Sequence, residues 1–262
     1  MAKKKDDIDH ILRKWNFDPS SVNVRLLELA NREVLQMRVD MGILQLEIEG
    51  RPDGGRPDGA TTYFELLKRK ASLAEQEFVL SESQCIEVDR EFVQFYHRRI
   101  CWLQLKEFNR AVQDADHTLA LMDFCKTHSP DDEWTISHEQ YRPFVLYHRT
   151  QAAALTQLKV ETTERAELAI EEVNQGLNRL KSLFQEYDAE EQYENDELVQ
   201  RLIEFRDNLR EKYGVGKTLH EQLSAAIENE DYELAANLRD EISLRELSAD
   251  SDDDDTTPEN TD

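Results

Sequence analysis

Residues Glu91–Phe124 read E-F-V-Q-F-Y-H-R-R-I-C-W-L-Q-L-K-E-F-N-R-A-V-Q-D-A-D-H-T-L-A-L-M-D-F, and the pattern in this stretch decides the fold. Phe95, Trp102 and Leu103 precede a Lys106-Glu107-Phe108 step, and Ala111, Ala115, Leu119 and Leu121 follow it. Apolar residues at such spacings on either side of a short polar break predict two amphipathic helices folded back on each other near Lys106. A second stretch, Tyr147–Leu180, places Ala152-Ala153-Ala154, Ala169, Val173, Gly176 and Leu177 in similar order. A third, Leu219–Ile242, joins Leu219/Leu223/Ala226/Ile227 to Tyr232/Ala235/Ala236/Leu238/Ile242 through the polar Glu228-Asn229-Glu230-Asp231. The chain is therefore expected to be all-α, a series of helical hairpins.

Working outward, Asp18-Pro19 offers an N-cap with proline at the first helical position. Behind it, Val24, Leu27, Ala30, Val34, Leu35, Val39, Ile43, Leu44 and Leu46 predict one long helix over Val22–Ile48. Thr62 and Glu65 have the spacing of a capping box for a helix reaching about Leu80. A further helix is expected over Asp196–Tyr213, and no region shows the sustained period-two alternation of strands. The expected organisation is an N-terminal segment (1–20), a helical body (21–187), an acidic connection with a linking helix (188–217), a hairpin (218–247) and an acidic tail (248–262). From Ser248 onward the tail has no basic and no large apolar residue, which predicts disorder.

Composition narrows the function. The 262 residues carry 56 acidic against 32 basic side chains, a formal charge of -24, which repels phosphate backbones and disfavours direct nucleic-acid binding. The one compact basic cluster, Lys3-Lys4-Lys5, runs straight into Asp6-Asp7. No secretory h-region follows it and no apolar run is long enough for a bilayer, so a cytoplasmic protein is expected. Cys85, Cys101 and Cys125 are odd in number and lack C-x-x-C spacing, as reduced, mostly buried thiols would.

The third stretch carries a family resemblance. Leu219, Leu223, Ala226, the Asp231-Tyr232-Glu233 step, Ala235-Ala236, Arg239-Asp240 and Ile242 resemble the UVR motif of the excision-repair proteins UvrB and UvrC, found also in Clp-type chaperones and McsA-type adaptors. The resemblance implies a docking module for another protein. The residues suit that role by themselves. Ala235-Ala236 would let helices approach closely, Tyr232 offers a broad apolar face, and Arg239 beside Asp240 offers orienting charge. The two earlier hairpins resemble tetratricopeptide-repeat units, giving an irregular TPR-like body. Arg99 sits where that repeat has a small residue and Thr118 where it has a late alanine, and Ser129–Ser137 breaks a strict repeat period. The chain as a whole also resembles helical bacterial UVR-motif proteins that carry a Gly-Arg-Pro-Asp-Gly loop.

That loop is doubled here, Gly50–Gly59 holding two consecutive copies of Gly-Arg-Pro-Asp-Gly. Each Pro-Asp-Gly is turn chemistry. A rigid double turn between helices is one reading; Arg51 and Arg56 held in matching frames to grip a partner's carboxylates or phosphates is the other.

Enzyme readings find less support. Gly214-Val215-Gly216-Lys217-Thr218 looks like the end of a phosphate-binding loop, but Glu211 stands where its first glycine belongs and a helix precedes it. Gly214 is better placed to end one helix and Thr218, with Glu221, to cap the next. His97/Cys101 and Cys125/His128 have ligand-like spacings, yet a hairpin turning near Lys106 would hold them apart. No nucleophile elbow, zincin motif or dinucleotide fingerprint occurs, so no cofactor, metal or catalytic residue is expected. The expectation is a non-catalytic adaptor that docks a UVR-containing or Clp-type partner through Leu219, Leu223, Ala226, Tyr232, Glu233, Ala235, Ala236, Arg239, Asp240 and Ile242, with Arg51 and Arg56 as a second contact. The alternative is an accessory factor of excision repair acting through UvrB-like or UvrC-like proteins.

Overall fold

The computed structural model describes residues 7–29 and 31–252. A one-turn helix, α1 (Asp9–Leu12), leads into three strands, β1 (Asn23–Leu29), β2 (Arg32–Val39) and β3 (Gly42–Glu47), paired antiparallel in the order β1-β2-β3. All other regular structure among the described residues is helical. The tripeptide Pro57–Gly59 forms a 3-10 turn, followed by α2 (Tyr63–Leu73), α3 (Glu82–Gln104), α4 (Phe108–His128), α5 (Asp132–Glu139), α6 (Arg142–Gln157), α7 (Thr163–Glu186), α8 (Glu190–Tyr193), α9 (Glu197–Tyr213), α10 (Leu219–Glu228) and α11 (Tyr232–Asp252).

The sheet replaces the long helix expected over Val22–Ile48. Its register aligns Val24 with Met37 and Leu44, and Leu26 with Leu35 and Leu46, so one face is apolar in all three strands. The other face carries a polar ladder: the Arg25 Nη2 donates to Gln36 Oε1 at 2.7 Å, and the Gln36 amide donates to Gln45 at 3.0 Å. Period-two alternation was therefore present, as Leu35-x-Met37-x-Val39 and Leu44-x-Leu46-x-Ile48. Leu27, Val34 and Ile43 lie on the opposite face and fill the gaps into helical spacings. Gly42, paired with Val39 across the β2–β3 turn, is the breaker that a continuous helix would not tolerate cheaply. Asp18 does cap, but it caps a turn: its carboxylate accepts from the Ser20 N–H and hydroxyl and from Ser21, which hold its pKa down.

The apolar face of the sheet packs on the turn end of the α3/α4 hairpin, where Leu35 and Leu46 share a core with Cys101, Trp102, Ala111 and Ala152. From there α3, α4, α6, α7 and α9 stack side by side in that order. The predicted hairpins exist as α3/α4 and α6/α7, and α5 occupies the interruption at Ser129–Ser137. The α2 helix stops at Leu73, short of the expected Leu80. Thr62 caps it by accepting from the Glu65 N–H, while the Glu65 carboxylate turns to Thr61 instead of completing the box. Helix α9 is part of the body, since Val199, Leu202 and Leu209 join the core of α7. The acidic tail expected from Ser248 overlaps α11, which runs to Asp252; residues 253–262, like Lys3-Lys4-Lys5, lie outside the described residues.

Small residues set the α6/α7 spacing. Ala152, Ala154, Ala166 and Ala169 are fully buried, and a Cβ on Gly176 would lie 2.1 Å from Thr150 Oγ1. The three cysteines are free, buried thiols; burial pushes Cys101 up to about 12 and raises Cys85 and Cys125 as well. Gly176→Ala is expected to lower stability by about 1–3 kcal/mol through overpacking, whereas Gly216→Ala, which meets nothing within 4 Å, is expected to be near neutral. Urea denaturation of the two variants checks this.

Candidate functional site

The hairpin at the C-terminal end is built by three local devices. Gly214 takes a left-handed conformation (φ 66°) and ends α9, and Val215 then turns into the body core. Thr218 caps α10 reciprocally, its hydroxyl accepting from the Glu221 N–H and its own N–H donating to Glu221 Oε2 at 2.8 Å. Burial alone would raise the Glu221 carboxyl, but the Thr218 N–H and the Arg210 guanidinium outweigh it and hold the pKa below its usual value. At the far end the Asn229 N–H donates to Ala225 O and the Asp231 N–H to Ala226 O, with Glu230 between them at φ 57°; Asp231 Oδ1 then accepts from the Leu234 N–H at the start of α11.

These devices fold α11 back on α10. Ala226, Ala235 and Leu238 are buried against each other with Leu219 and Leu223 partly buried around them, a small core separate from that of the body. Ile242 is also buried. The hairpin thus closes its own stripe. Its base is tied to the body by polar contacts: Thr218 Oγ1 donates to Glu171 at 3.0 Å, and Arg210 pairs with Glu221.

What remains outside is the candidate docking surface. Tyr232 is 69 % exposed, and Glu233, Ala236, Arg239 and Asp240 are exposed too. At 100° per residue Tyr232, Ala236 and Arg239 fall along one flank of α11. Of the ten residues singled out in this segment, then, half build the hairpin and half face outward. Ile227, read with the stripe in the sequence, is exposed instead, and so are Leu234 and Leu244, which were not singled out. The signal for Leu234 and Leu244 was available, since both lie off the stripe defined by Leu219, Leu223, Ala226, Ala235 and Leu238.

The doubled loop divides its two arginines. Arg51 is only 5 % exposed and donates to Glu87 at 2.8 Å and to Gln94 at 3.3 Å, with Asp53 3.3 Å and Glu91 3.8 Å away. It is a structural residue joining the loop to α3, and the expectation of a partner-gripping Arg51 is corrected accordingly. Arg56 is exposed. Both copies make a turn, Gly54 N–H to Arg51 O and Gly59 N–H to Arg56 O, but they differ in backbone: the second places Asp58 itself at φ 45°. Matching sequences therefore do not give matching frames.

The phosphate-loop lookalike is the α9–α10 connection just described, with helix on both sides. Among the zinc candidates, His128 Nδ1 contacts Phe78 O, Cys101 lies in the sheet-facing core and Cys125 in the core around α2. No group of three or more potential ligands is placed to hold a metal ion among the described residues.

The geometry defines a class, a short capped helical hairpin with its own core and an exposed flank. A family model described as the UvrB/uvrC motif (UVR) matches residues 217–244, so this hairpin carries that motif. No curated protein and no solved structure matches the chain.

Two stability outcomes are expected. Glu230→Gly removes a left-handed non-glycine residue and should slow amide exchange across α10 and α11, by about 0.5–1 kcal/mol. Arg51→Glu sets like charges beside buried Glu91 and should cost about 3 kcal/mol or more in denaturant unfolding, whereas exposed Arg56→Glu should change it by less than about 0.5 kcal/mol.

Proposed function

We propose that this protein is a non-catalytic cytoplasmic adaptor in which the UVR hairpin is the docking element. The observation that supports it best is the division of labour within the hairpin: its own core is closed by five small or aliphatic side chains, and Tyr232, Ile227, Leu234 and Leu244 are left exposed on the same short segment. Exposed apolar side chains gathered on one small element favour a protein partner over solvent. Arg239 and Asp240 beside them supply charge to orient it.

The motif supports protein interaction, and the partner we propose is a UVR-containing protein or a Clp-type unfoldase. The charge of -24 argues for contact with protein and against contact with nucleic acid. The stacked helical body, tied to the hairpin at Thr218 and Glu171, would carry a second surface, so that the adaptor bridges two proteins at a fixed separation. Among the described residues no helix is long and apolar enough to cross a membrane, which is compatible with that role.

The test is affinity purification with the intact chain beside a variant carrying Tyr232→Ala and Arg239→Glu. Both positions are exposed, so circular dichroism should be unchanged. Proteins retained by the intact chain and lost from the variant are the hairpin's partners. Recovery of repair subunits in that set would assign the chain to excision repair, and recovery of an unfoldase to proteostasis. Identical sets would end the docking reading.

A further inference from the structure

A groove of about 720 Å³ opens between α3, α4, α5 and α6, on the body and away from the hairpin. Its walls are apolar: Phe92, Met122, Phe144 and Val145 line it, with Val93 and Tyr141 exposed at its rim. At its floor stands Arg99, 2 % exposed. The guanidinium has one hydrogen bond, from Nη1 to Thr118 Oγ1 at 3.1 Å, and its Nε–H has no partner. Among the described residues no carboxylate lies within ion-pair distance of it.

The neighbours compensate that charge only in part: its Cζ lies 5.9 Å from the centre of the Tyr96 ring, and no carboxylate is paired with it. Asp114, the acid whose charge acts on Arg99, is held in a two-pronged pair by Arg98, at 2.6 Å and 2.9 Å. Thr118 spends its own proton on Asp114 O. On α6, His148 is mostly buried with Nδ1 unpaired, and burial together with Arg99 pushes its pKa down to about 4, so it is neutral and offers no negative charge. At the mouth, Asp89 is taken by His138 at 2.9 Å. Burial lowers Arg99 to about 10, which still leaves it charged at neutral pH.

A buried cation without a counter-ion is costly, and a ligand that brings a carboxylate to it relieves that cost. We propose that this groove binds an amphipathic carboxylate, whose anionic head pairs with Arg99 while its apolar body lies along Phe92, Met122, Phe144 and Val145. The head would take the free Nε–H together with a terminal N–H, the two-donor fork that guanidinium presents to carboxylates. An inorganic anion would leave the apolar walls wet, and the acidic surface would repel it; a ligand with a substantial apolar body offsets that repulsion by burial. Arg99 of α3 and Thr118 of α4 meet at this floor.

The probes are decanoate and decanol, titrated below their aggregation limits into the full chain by calorimetry. Decanoate is expected to bind saturably and about ten- to hundredfold more tightly than decanol, the margin of a charge-assisted buried pair. In Arg99→Met the two probes should bind equally and weakly. Should that variant fail to fold, the wild-type chain labelled with 15N at arginine carries the test: the Arg99 Nε–H signal should shift on adding decanoate and stay fixed with decanol. Equal binding of the two probes to the wild-type chain, no saturable decanoate binding, undiminished decanoate binding by a folded Arg99→Met, or an unmoved Nε–H signal would each overturn the assignment.

Discussion

The buried carboxylate of Glu91 is the constraint on which the body depends. At 0 % exposure it accepts from the N–H groups of Tyr63 at 2.6 Å and Phe64 at 3.0 Å, so it satisfies the first orphan donors of α2 from a different helix. His117 Nε2 lies 3.1 Å away, stacked on Phe95, and Arg51 closes the set from the loop. About two helical turns along α3, Arg98 pairs with buried Asp114 and donates to the carbonyls of Glu47 and Gly50. A single helix thereby fixes the end of β3, the doubled loop, the start of α2 and the neighbouring α4. Charges this deeply placed are held because each is paired and hydrogen-bonded; removal of one partner strands the other.

The helical stack and the hairpin use different physics. In the stack, alanines and Gly176 allow close backbone approach, and a continuous core runs from α6 through α7 to α9. The hairpin has too little apolar surface for a core of that size. It relies on two termini fixed by hydrogen bonds, the Thr218–Glu221 box and the turn at Glu230, to bring three buried side chains together. Its polar attachment to Glu171 and Arg210 positions it without hiding its outer flank. That separation of core from flank is what suits the UVR segment to meeting another protein.

Capping chemistry is local, and it was legible at every point where the hairpin is defined: Gly214 as a terminator, Thr218 with Glu221 as a start, Glu228–Asp231 as a turn. Helical spacing in α3/α4 and α6/α7 was equally plain. The sheet was not, because its strands bury residues on both faces and so mimic a period of 3.6. Arg51 was not legible either. Two matching pentapeptides suggested two matching arginines, and only the proximity of Glu87 and Glu91, more than thirty residues on, commits the first to the interior.

The sequence by itself determined where α9 ends and α10 begins, which segment carries the UVR motif, and that the chain is strongly acidic. Those properties depend on a few neighbouring residues or on composition. Tertiary structure decided which arginine is structural, that Val22–Ile48 is a meander, and that the hairpin seals its own stripe while Arg99 faces a groove without a counter-ion. Each of these turns on which distant side chain arrives within hydrogen-bonding or van der Waals distance, and no local pattern encodes that.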